Sequence, residues 1–181
     1  MTVRPLRFLL AVLAACAALC GVGQATAGQP SEEEVKAAVA FNLLQFVKWP
    51  AAALAPGQPL VLCAPESSGI SRLLARYGGT RINDTTLVVK LLNRHLDGLD
   101  ACQAMFVAAG DPYAVLRASA ATQGKPILLI AEGDRAIEQG AGMGVSLAGS
   151  HVVLDVDLAA LTASGLVVSS KLLRLARTVI R

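Results

Sequence analysis

Short apolar runs that alternate with helical patterns are the feature that most constrains this fold. Several of the runs are apolar at every position, a pattern typical of parallel strands that are covered on both faces. The segments between them have helical periodicity. Strand, helix, strand order predicts a single three-layer α/β domain whose mostly parallel central sheet is flanked by helices. The predicted strands are residues 60–63, 87–92, 105–108, 127–131, 145–147 and 152–156, and the predicted helices between them are 70–77, 112–121 and 134–139.

The segment before these runs predicts a helix with an unusually wide apolar surface. Ser31 and Glu34 form a capping box that begins the helix, and Trp49-Pro50 ends it after Lys48. One narrow polar stripe remains, while apolar side chains occupy most of the other positions around the helix. A helix lying on one face of a core shows less apolar surface than this. The helix is therefore either covered on both sides or in contact with another protein.

Residues near the end of this helix are the candidates for a contact with a partner protein. We assign to that surface Phe41, Phe46, Trp49 and Pro50. The alternative is that Phe41, Phe46 and Trp49 pack into the core of their own domain, as most aromatic side chains do.

The N-terminus has the pattern of a secretory signal. Arg4 and Arg7 precede an uncharged apolar run at residues 8–19, and Ala25 and Ala27 place small residues before a cleavage site. The run is shorter than the roughly 20 residues that a membrane-spanning helix needs. We therefore expect a signal peptide at residues 1–27 and an α/β domain at residues 28–181 that is soluble in the periplasm.

The alternative to this cleavage site is an earlier one within the same segment. Residues 13–16 resemble a bacterial lipobox, in which Cys16 is acylated and becomes the new N-terminus.

The formal charge of the whole chain is +3, and Arg4 and Arg7 of the signal supply two of those charges. What remains forms no broad basic surface, so nucleic acid is not an expected partner.

Cys63 and Cys102 are the cysteines of the expected mature chain. In an oxidising compartment they can form one disulfide that closes a loop of about 40 residues. Two buried free thiols or a metal pair are the alternatives. A metal site is disfavoured because His95 and His151 are the chain's histidines and neither has metal-ligand spacing around it.

The C-terminal segment, residues 172–181, has apolar residues at helical spacing and predicts an amphipathic helix. Its cations, which include Arg174 and Arg177, suit the C-terminal end of a helix, so a solvated face is the simplest interpretation. The alternative is that Arg174 or Arg177 contacts an acidic partner or an anionic ligand.

The sequence contains no recognisable catalytic arrangement. It has no nucleophile with a neighbouring base, no metal cluster and no phosphate loop. The glycine-rich residues 140–144 follow a predicted helix and lead into a strand, the reverse of a dinucleotide loop, and predict a tight turn. We therefore expect no enzymatic activity and no cofactor, unless a catalytic cluster is assembled from residues far apart in sequence.

Several segments, in the same order along the chain, resemble the family of YfiR-like periplasmic proteins. The first is Val35 to Ala38, followed by Phe41-Asn42 and the string from Phe46 to Pro50. The others are Cys63 after an apolar strand, residues 99–107, residues 140–145, and residues 165–176. Together they cover nearly all of the expected mature chain.

The resemblance implies a periplasmic three-layer α/β domain that binds proteins and performs no catalysis. In the family's pattern, the protein represses an inner-membrane diguanylate cyclase through that enzyme's periplasmic portion, and an OmpA-like outer-membrane lipoprotein relieves the repression. This connects the chain to cyclic di-GMP signalling and biofilm regulation. Cys63 and Cys102 match the family's disulfide pair. A second disulfide of the family is absent here, and Asp157 stands where the family commonly has Asn.

Two functions therefore need to be compared. The first is an exported repressor that binds a membrane signalling enzyme, a diguanylate cyclase. The second is a periplasmic small-molecule sensor with a pocket at the carboxyl ends of the strands, where Arg174 or Arg177 meets an anion. A homodimer is compatible with either function.

Overall fold

A central sheet of eight strands organises the domain. Its order is β10-β8-β7-β6-β5-β2-β4-β3, and the pairs β7–β8 and β3–β4 are antiparallel while the others are parallel. Two short strands, β1 and β9, pair antiparallel in a separate sheet. In chain order, the strands are β1 (Val47–Lys48), β2 (Leu60–Pro65), β3 (Arg81–Ile82), β4 (Thr85–Leu92), β5 (Ala104–Val107), β6 (Leu128–Glu132), β7 (Met143–Ala148), β8 (His151–Asp157), β9 (Val167–Val168) and β10 (Thr178–Ile180).

The computed structural model describes residues 30–149 and 151–181. Residues 31–181 form one compact unit. The predicted signal peptide, with its candidate cleavage residues Ala25 and Ala27 and the lipobox residue Cys16, lies outside the described residues.

Helices and turns connect the strands. The helices are α1 (Glu32–Leu43), α2 (Gly69–Ala75), α3 (Ala114–Thr122), α4 (Leu158–Ala163) and α5 (Ser170–Leu173), with 3-10 turns at Leu44–Phe46 and Leu99–Ala101. The capping box is confirmed, because the Ser31 hydroxyl accepts from the Glu34 amide and the Glu34 carboxylate accepts from the Ser31 amide. Asp157 likewise caps α4 by accepting from the Ala160 amide at 2.8 Å.

Two apolar cores cover the two faces of the sheet. On β2, Leu60 and Leu62 point into the core shared with α1 and α2, whereas Val61 and Cys63 point into the core shared with α3. Alternate residues of one strand are therefore buried on opposite faces, which explains why the strand is apolar throughout. The predicted three-layer α/β fold with a mostly parallel sheet is confirmed.

The first helix is shorter than predicted. It ends at Leu43, and after a 3-10 turn the chain becomes extended at Val47–Lys48. Val47 pairs with Val168 and Lys48 with Val167. Strand pairing with a distant segment overrides the local helical pattern here, and Val47, which is β-branched, fits the extended backbone.

The C-terminal helix predicted at residues 172–181 is also wrong. Only Ser170–Leu173 is helical, and Thr178–Ile180 forms a strand parallel to β8. The Arg177 amide donates to the Leu154 carbonyl at 2.7 Å and brings the segment beside β8. The last strand consists of β-branched residues, which pack well on a sheet.

Residues 134–139 form hydrogen-bonded turns and not the predicted helix. Gly133 and Gly140 have φ values of 122° and 91°, which a helix cannot include. The glycine-dependent turn predicted before β7 is present at Gly140.

The predicted disulfide joins Cys63 of β2 to Cys102, with their Cα atoms 5.9 Å apart. Both residues are buried among the side chains of the second core. The bond closes a loop with a sequence separation of 39 residues and thereby ties the region that leads into β5 directly to β2.

Reduction of this disulfide is expected to lower the free energy of unfolding by about 3 to 4 kcal/mol, because the unfolded chain regains the entropy of the open loop. Urea unfolding of the protein with and without dithiothreitol measures the difference. The double variant Cys63→Ala/Cys102→Ala is the control, and its unfolding midpoint should not respond to dithiothreitol. Equal midpoints for oxidised and reduced wild-type protein would contradict the prediction.

Candidate functional site

A cleft opens at the carboxyl ends of β2, β4, β5 and β6. The chain leaves β2 towards α2, which packs on one face of the sheet, and leaves β5 towards α3, which packs on the other. Neighbouring strands whose connections turn to opposite faces leave a crevice between them, and ligands of open α/β sheets bind in such crevices. The cleft has a volume of about 1170 Å³.

An ion triad centred on the buried Lys36 lines the cleft, with Glu132 largely covered and Glu32 exposed. The Lys36 ammonium group of α1 donates to the carboxylates of Glu32 and Glu132. Glu132, at the end of β6, also accepts from the Ala109 amide at 2.9 Å. Burial alone would lower the pKa of Lys36, but its hydrogen bonds to Glu132 and Glu32, with their charges, hold that pKa above its ordinary value. Lys36 therefore stays protonated and links α1 to the end of the sheet.

The loops after β4 and β5 supply the other charged groups of the cleft. Arg94 and His95 follow β4 and are exposed. Arg117 of α3 is paired with Asp111 at 2.6 Å. Carboxylates at the start of α1 and the cations of Arg94 and Arg117 line the same cleft, which suits small polar molecules.

The sequence predicts a pocket at the carboxyl ends of the strands, where the cleft lies, but it does not predict the residues that line the cleft. Its polar lining includes Glu66, which directly follows the buried strand β2, and Glu132 at the end of the buried strand β6. A polar residue after an apolar strand was the available signal. Arg174 and Arg177 do not line the cleft.

Arg177 is instead held by the sheet. Its guanidinium donates to both carboxylate oxygens of the buried Asp155, with Nε to Oδ1 at 3.1 Å, and lies 3.6 Å from Asp134. Burial alone would raise the pKa of Asp155, but hydrogen bonds from Arg177 and Thr178 and the charge of Arg177 hold it below its ordinary value. Arg174 is exposed and ends α5.

The aromatic candidates for partner binding are half-buried against the first core. The Phe41 ring stacks on Tyr77 with centroids 4.5 Å apart. The Trp49 indole nitrogen donates to the Gln103 carbonyl at 2.8 Å. Phe46 also packs against the first core, and Pro50 lies beside Gly165. These contacts fix the segment around β1 to the rest of the domain.

The small β1–β9 sheet presents an exposed face next to these aromatic residues. Lys48 lies directly opposite Val167, whose exposed fraction is 63%. The neighbours Val47 and Val168 are buried on the opposite face. Val167 therefore adds an exposed apolar side chain near Trp49 and Pro50, and the assignment of this region to a partner surface stays a prediction.

The fold is a three-layer α/β domain with a cleft at the carboxyl ends of its strands. Within the part of the chain that the structure describes, no group of three or more His, Cys, Asp or Glu side chains could hold a metal ion. None of the helices described is long and apolar enough to cross a membrane.

Comparison with known families identifies the class more closely. The model of the YfiR/HmsC-like family matches residues 33–177, and the chain belongs to this family. No curated relative matches the sequence.

A crystal structure of a conserved domain protein from Vibrio cholerae O1 biovar El Tor is similar in fold. It matches with a TM-score of 0.50 and 11% sequence identity, over 82% of this chain and 60% of that protein. At this identity the likeness concerns the fold alone.

The Asp155–Arg177 pair predicts a specific dependence of stability on pH. Because the pKa of Asp155 is depressed in the folded state, its stabilising contribution is present above the unfolded pKa of about 3.9 and is lost as the pH falls through the folded pKa. Arg177→Met leaves a buried carboxylate without its partner and is expected to destabilise the protein at pH 7.

This loss should shrink as the carboxylate is protonated in acid. Urea unfolding of wild type and Arg177→Met at several pH values measures it, with Asp155→Asn/Arg177→Met as the control that lacks the carboxylate. A difference between wild type and Arg177→Met that is the same at neutral and acidic pH would contradict the assigned role of Asp155.

Proposed function

We propose that this protein is an exported regulator that binds the periplasmic portion of an inner-membrane diguanylate cyclase and holds the enzyme in its inactive state. The observation that carries the proposal is the match to the YfiR/HmsC-like family over residues 33–177, nearly the whole described domain. The Cys63–Cys102 disulfide supports export, because such bonds persist in oxidising compartments.

Repression of this kind is a population shift. The protein lowers the activity of the cyclase only to the extent that it binds the inactive conformation more tightly than the active one. An OmpA-like outer-membrane lipoprotein that binds this protein better than the cyclase does would relieve the repression by competition. No catalytic group is needed for either step.

The exposed face of the β1–β9 sheet is our candidate for the contact with the cyclase. Val167 is exposed and apolar. The half-buried Trp49, which directly follows β1, donates its indole N–H to the Gln103 carbonyl and thereby fixes the position of β1. Pre-ordered apolar groups bind well because little conformational entropy is lost on association. Phe41 and Phe46, the other aromatic candidates, pack against the first core.

Deletion of the gene is expected to raise cellular cyclic di-GMP, and expression of the wild-type protein in the deletion strain should restore the lower level. The variant Val167→Asp should fail to restore it, because a charge at the centre of an apolar contact weakens binding by about tenfold or more. Mass spectrometry of nucleotide extracts measures the level.

The matched control is Leu116→Asp on α3, which replaces another exposed apolar side chain, 48% exposed, on the opposite layer. This variant should restore the lower level as wild type does. Unchanged cyclic di-GMP after deletion, in cells that retain the cyclase, would contradict the proposed function.

Binding of a small polar molecule in the cleft is the second candidate function. It is favoured by the position of the cleft at the switch point between β2 and β5 and by the charged residues that line it. In this second function the protein acts as a sensor of that molecule.

Isothermal titration calorimetry with a panel of amino acids and small carboxylates tests this second function. A ligand of the cleft should give saturable heat that Arg94→Ala removes and that the exposed control Arg72→Ala on α2 leaves intact. Absence of saturable heat across the panel would count against a ligand of this class.

A further inference from the structure

The edge strand β4 is only partly covered. The short strand β3 pairs with Thr85 and Thr86 alone. The next residue, Leu87, exchanges hydrogen bonds with the turn before β3, since its amide donates to the Thr80 carbonyl at 2.9 Å and its carbonyl accepts from the Gly79 amide at 2.8 Å. Beyond Leu87, β4 continues to Leu92, paired with β2 on its inner side only.

The unpaired edge of β4 therefore runs from Val88 to Leu92. Backbone groups of alternate residues point to opposite sides of a strand. Leu87 bonds outward and Leu92 bonds inward, to the Glu66 amide, so the amides and carbonyls of Val89 and Leu91 face outward. Among residues 30–149 and 151–181, the outward amides and carbonyls of Val89 and Leu91 have no hydrogen-bond partner.

The side chains along this edge alternate in a manner that suits an added strand. Val88 is 36% exposed and Leu91 is 42% exposed, and they point to opposite faces of the sheet. Lys90 is exposed between them. An edge strand with apolar side chains on both faces and free backbone groups is a template for another strand, and a central lysine restricts what can pair with it.

A second copy of this chain fits the edge poorly. The antiparallel register that uses the whole segment from 88 to 92 in both copies sets residue 89 opposite 91 and Lys90 opposite Lys90. Because Lys90 does not bond outward, that pair is of the closely spaced, non-hydrogen-bonded kind. Like charges directly opposite each other destabilise a strand pair.

The start of β4 lies beside the segment that leads into β1. Asn83, in the turn between β3 and β4, donates its side-chain amide to the Gln45 carbonyl at 3.3 Å. Gln45 lies two residues before the start of β1 at Val47. From Thr85 the strand runs about 10 Å, three residues at about 3.3 Å each, to the free edge at Val88, so a protein bound on the β1–β9 surface reaches that edge through an extended segment.

We propose that β4 binds an extended segment of the cyclase's periplasmic portion as an added strand, with an acidic side chain of that segment opposite Lys90. This inference rests on the proposed function and names a second part of its interface. The outward backbone groups of Val89 and Leu91 supply the hydrogen bonds, and Val88 and Leu91 select apolar side chains on the two faces of the added strand.

Variants of the edge test the proposal without disturbing the fold. Val89→Pro removes an amide that faces outward, so the pairing of β4 with β2 survives, and proline is tolerated on edge strands. Val88→Pro removes an amide that faces β2 and should lower the melting temperature clearly, which checks the assigned directions. Lys90→Glu reverses the charge, and Lys171→Glu on α5 is the matched control.

The probe is the purified periplasmic portion of the cyclase whose product rises on deletion. Surface plasmon resonance should show binding by wild type and Lys171→Glu, and binding weaker by about tenfold or more for Val89→Pro and Lys90→Glu, the equivalent of one or two lost hydrogen bonds. Hydrogen exchange at Val89 and Leu91 should slow in the complex.

The outcomes of these experiments distinguish failure of the added strand from failure of the proposed function. Tight binding by Val89→Pro and Lys90→Glu, with unchanged exchange at Val89 and Leu91, would overturn the added strand and leave the proposed function standing. A wild-type dimer that Val89→Pro converts to monomer would give the edge to a second copy and overturn the proposal. Absence of wild-type binding would overturn the proposed function itself and the added strand with it.

Discussion

Burial of β2 on both of its faces is the constraint on which the rest of the domain depends. Leu60 and Leu62 fill one core, and Val61 and Cys63 fill the other. A strand of this kind cannot lie at the surface, because burying its apolar side chains contributes about 1.5 to 3 kcal/mol for each large one. Helices must therefore cover both faces, and neighbouring strands must pair with both of its edges.

The two candidate sites follow from this arrangement. Since β2 leads to a helix on one face and β5 leads to a helix on the other, a crevice opens between their carboxyl ends. Because β4 is the neighbour of β2 on the side where the sheet nearly ends, it keeps a free edge after Leu87. The cleft and the edge are consequences of strand order, and their side chains decide what they can bind.

The sequence predicted the parts of the fold that rest on local signals. The capping box of Ser31 and Glu34 and the continuously apolar central strands were confirmed, and the Cys63–Cys102 disulfide formed as the spacing allowed. Each depends on residues close in sequence or on the chemistry of one residue type.

What failed depends on contacts between distant segments. Thr178–Ile180 is a strand because Arg177 bonds to Asp155 and Leu154 of β8, a pairing that helical spacing does not reveal. Val47–Lys48 leaves the helix because β9 pairs with it. The cleft residues, among them Lys36 and Glu132, were missed because 96 positions of sequence separate these two ion-pair partners.

Repression of a membrane diguanylate cyclase from the periplasmic side is the function that we propose for this protein. The most direct measurement is the rate of cyclic di-GMP synthesis by the cyclase in membrane vesicles whose periplasmic side faces the added protein. We predict that the rate falls saturably as the purified protein is added, and that the Val167→Asp variant needs a higher concentration to inhibit the cyclase equally. A rate that does not change at concentrations where the protein is bound to the vesicles would contradict it.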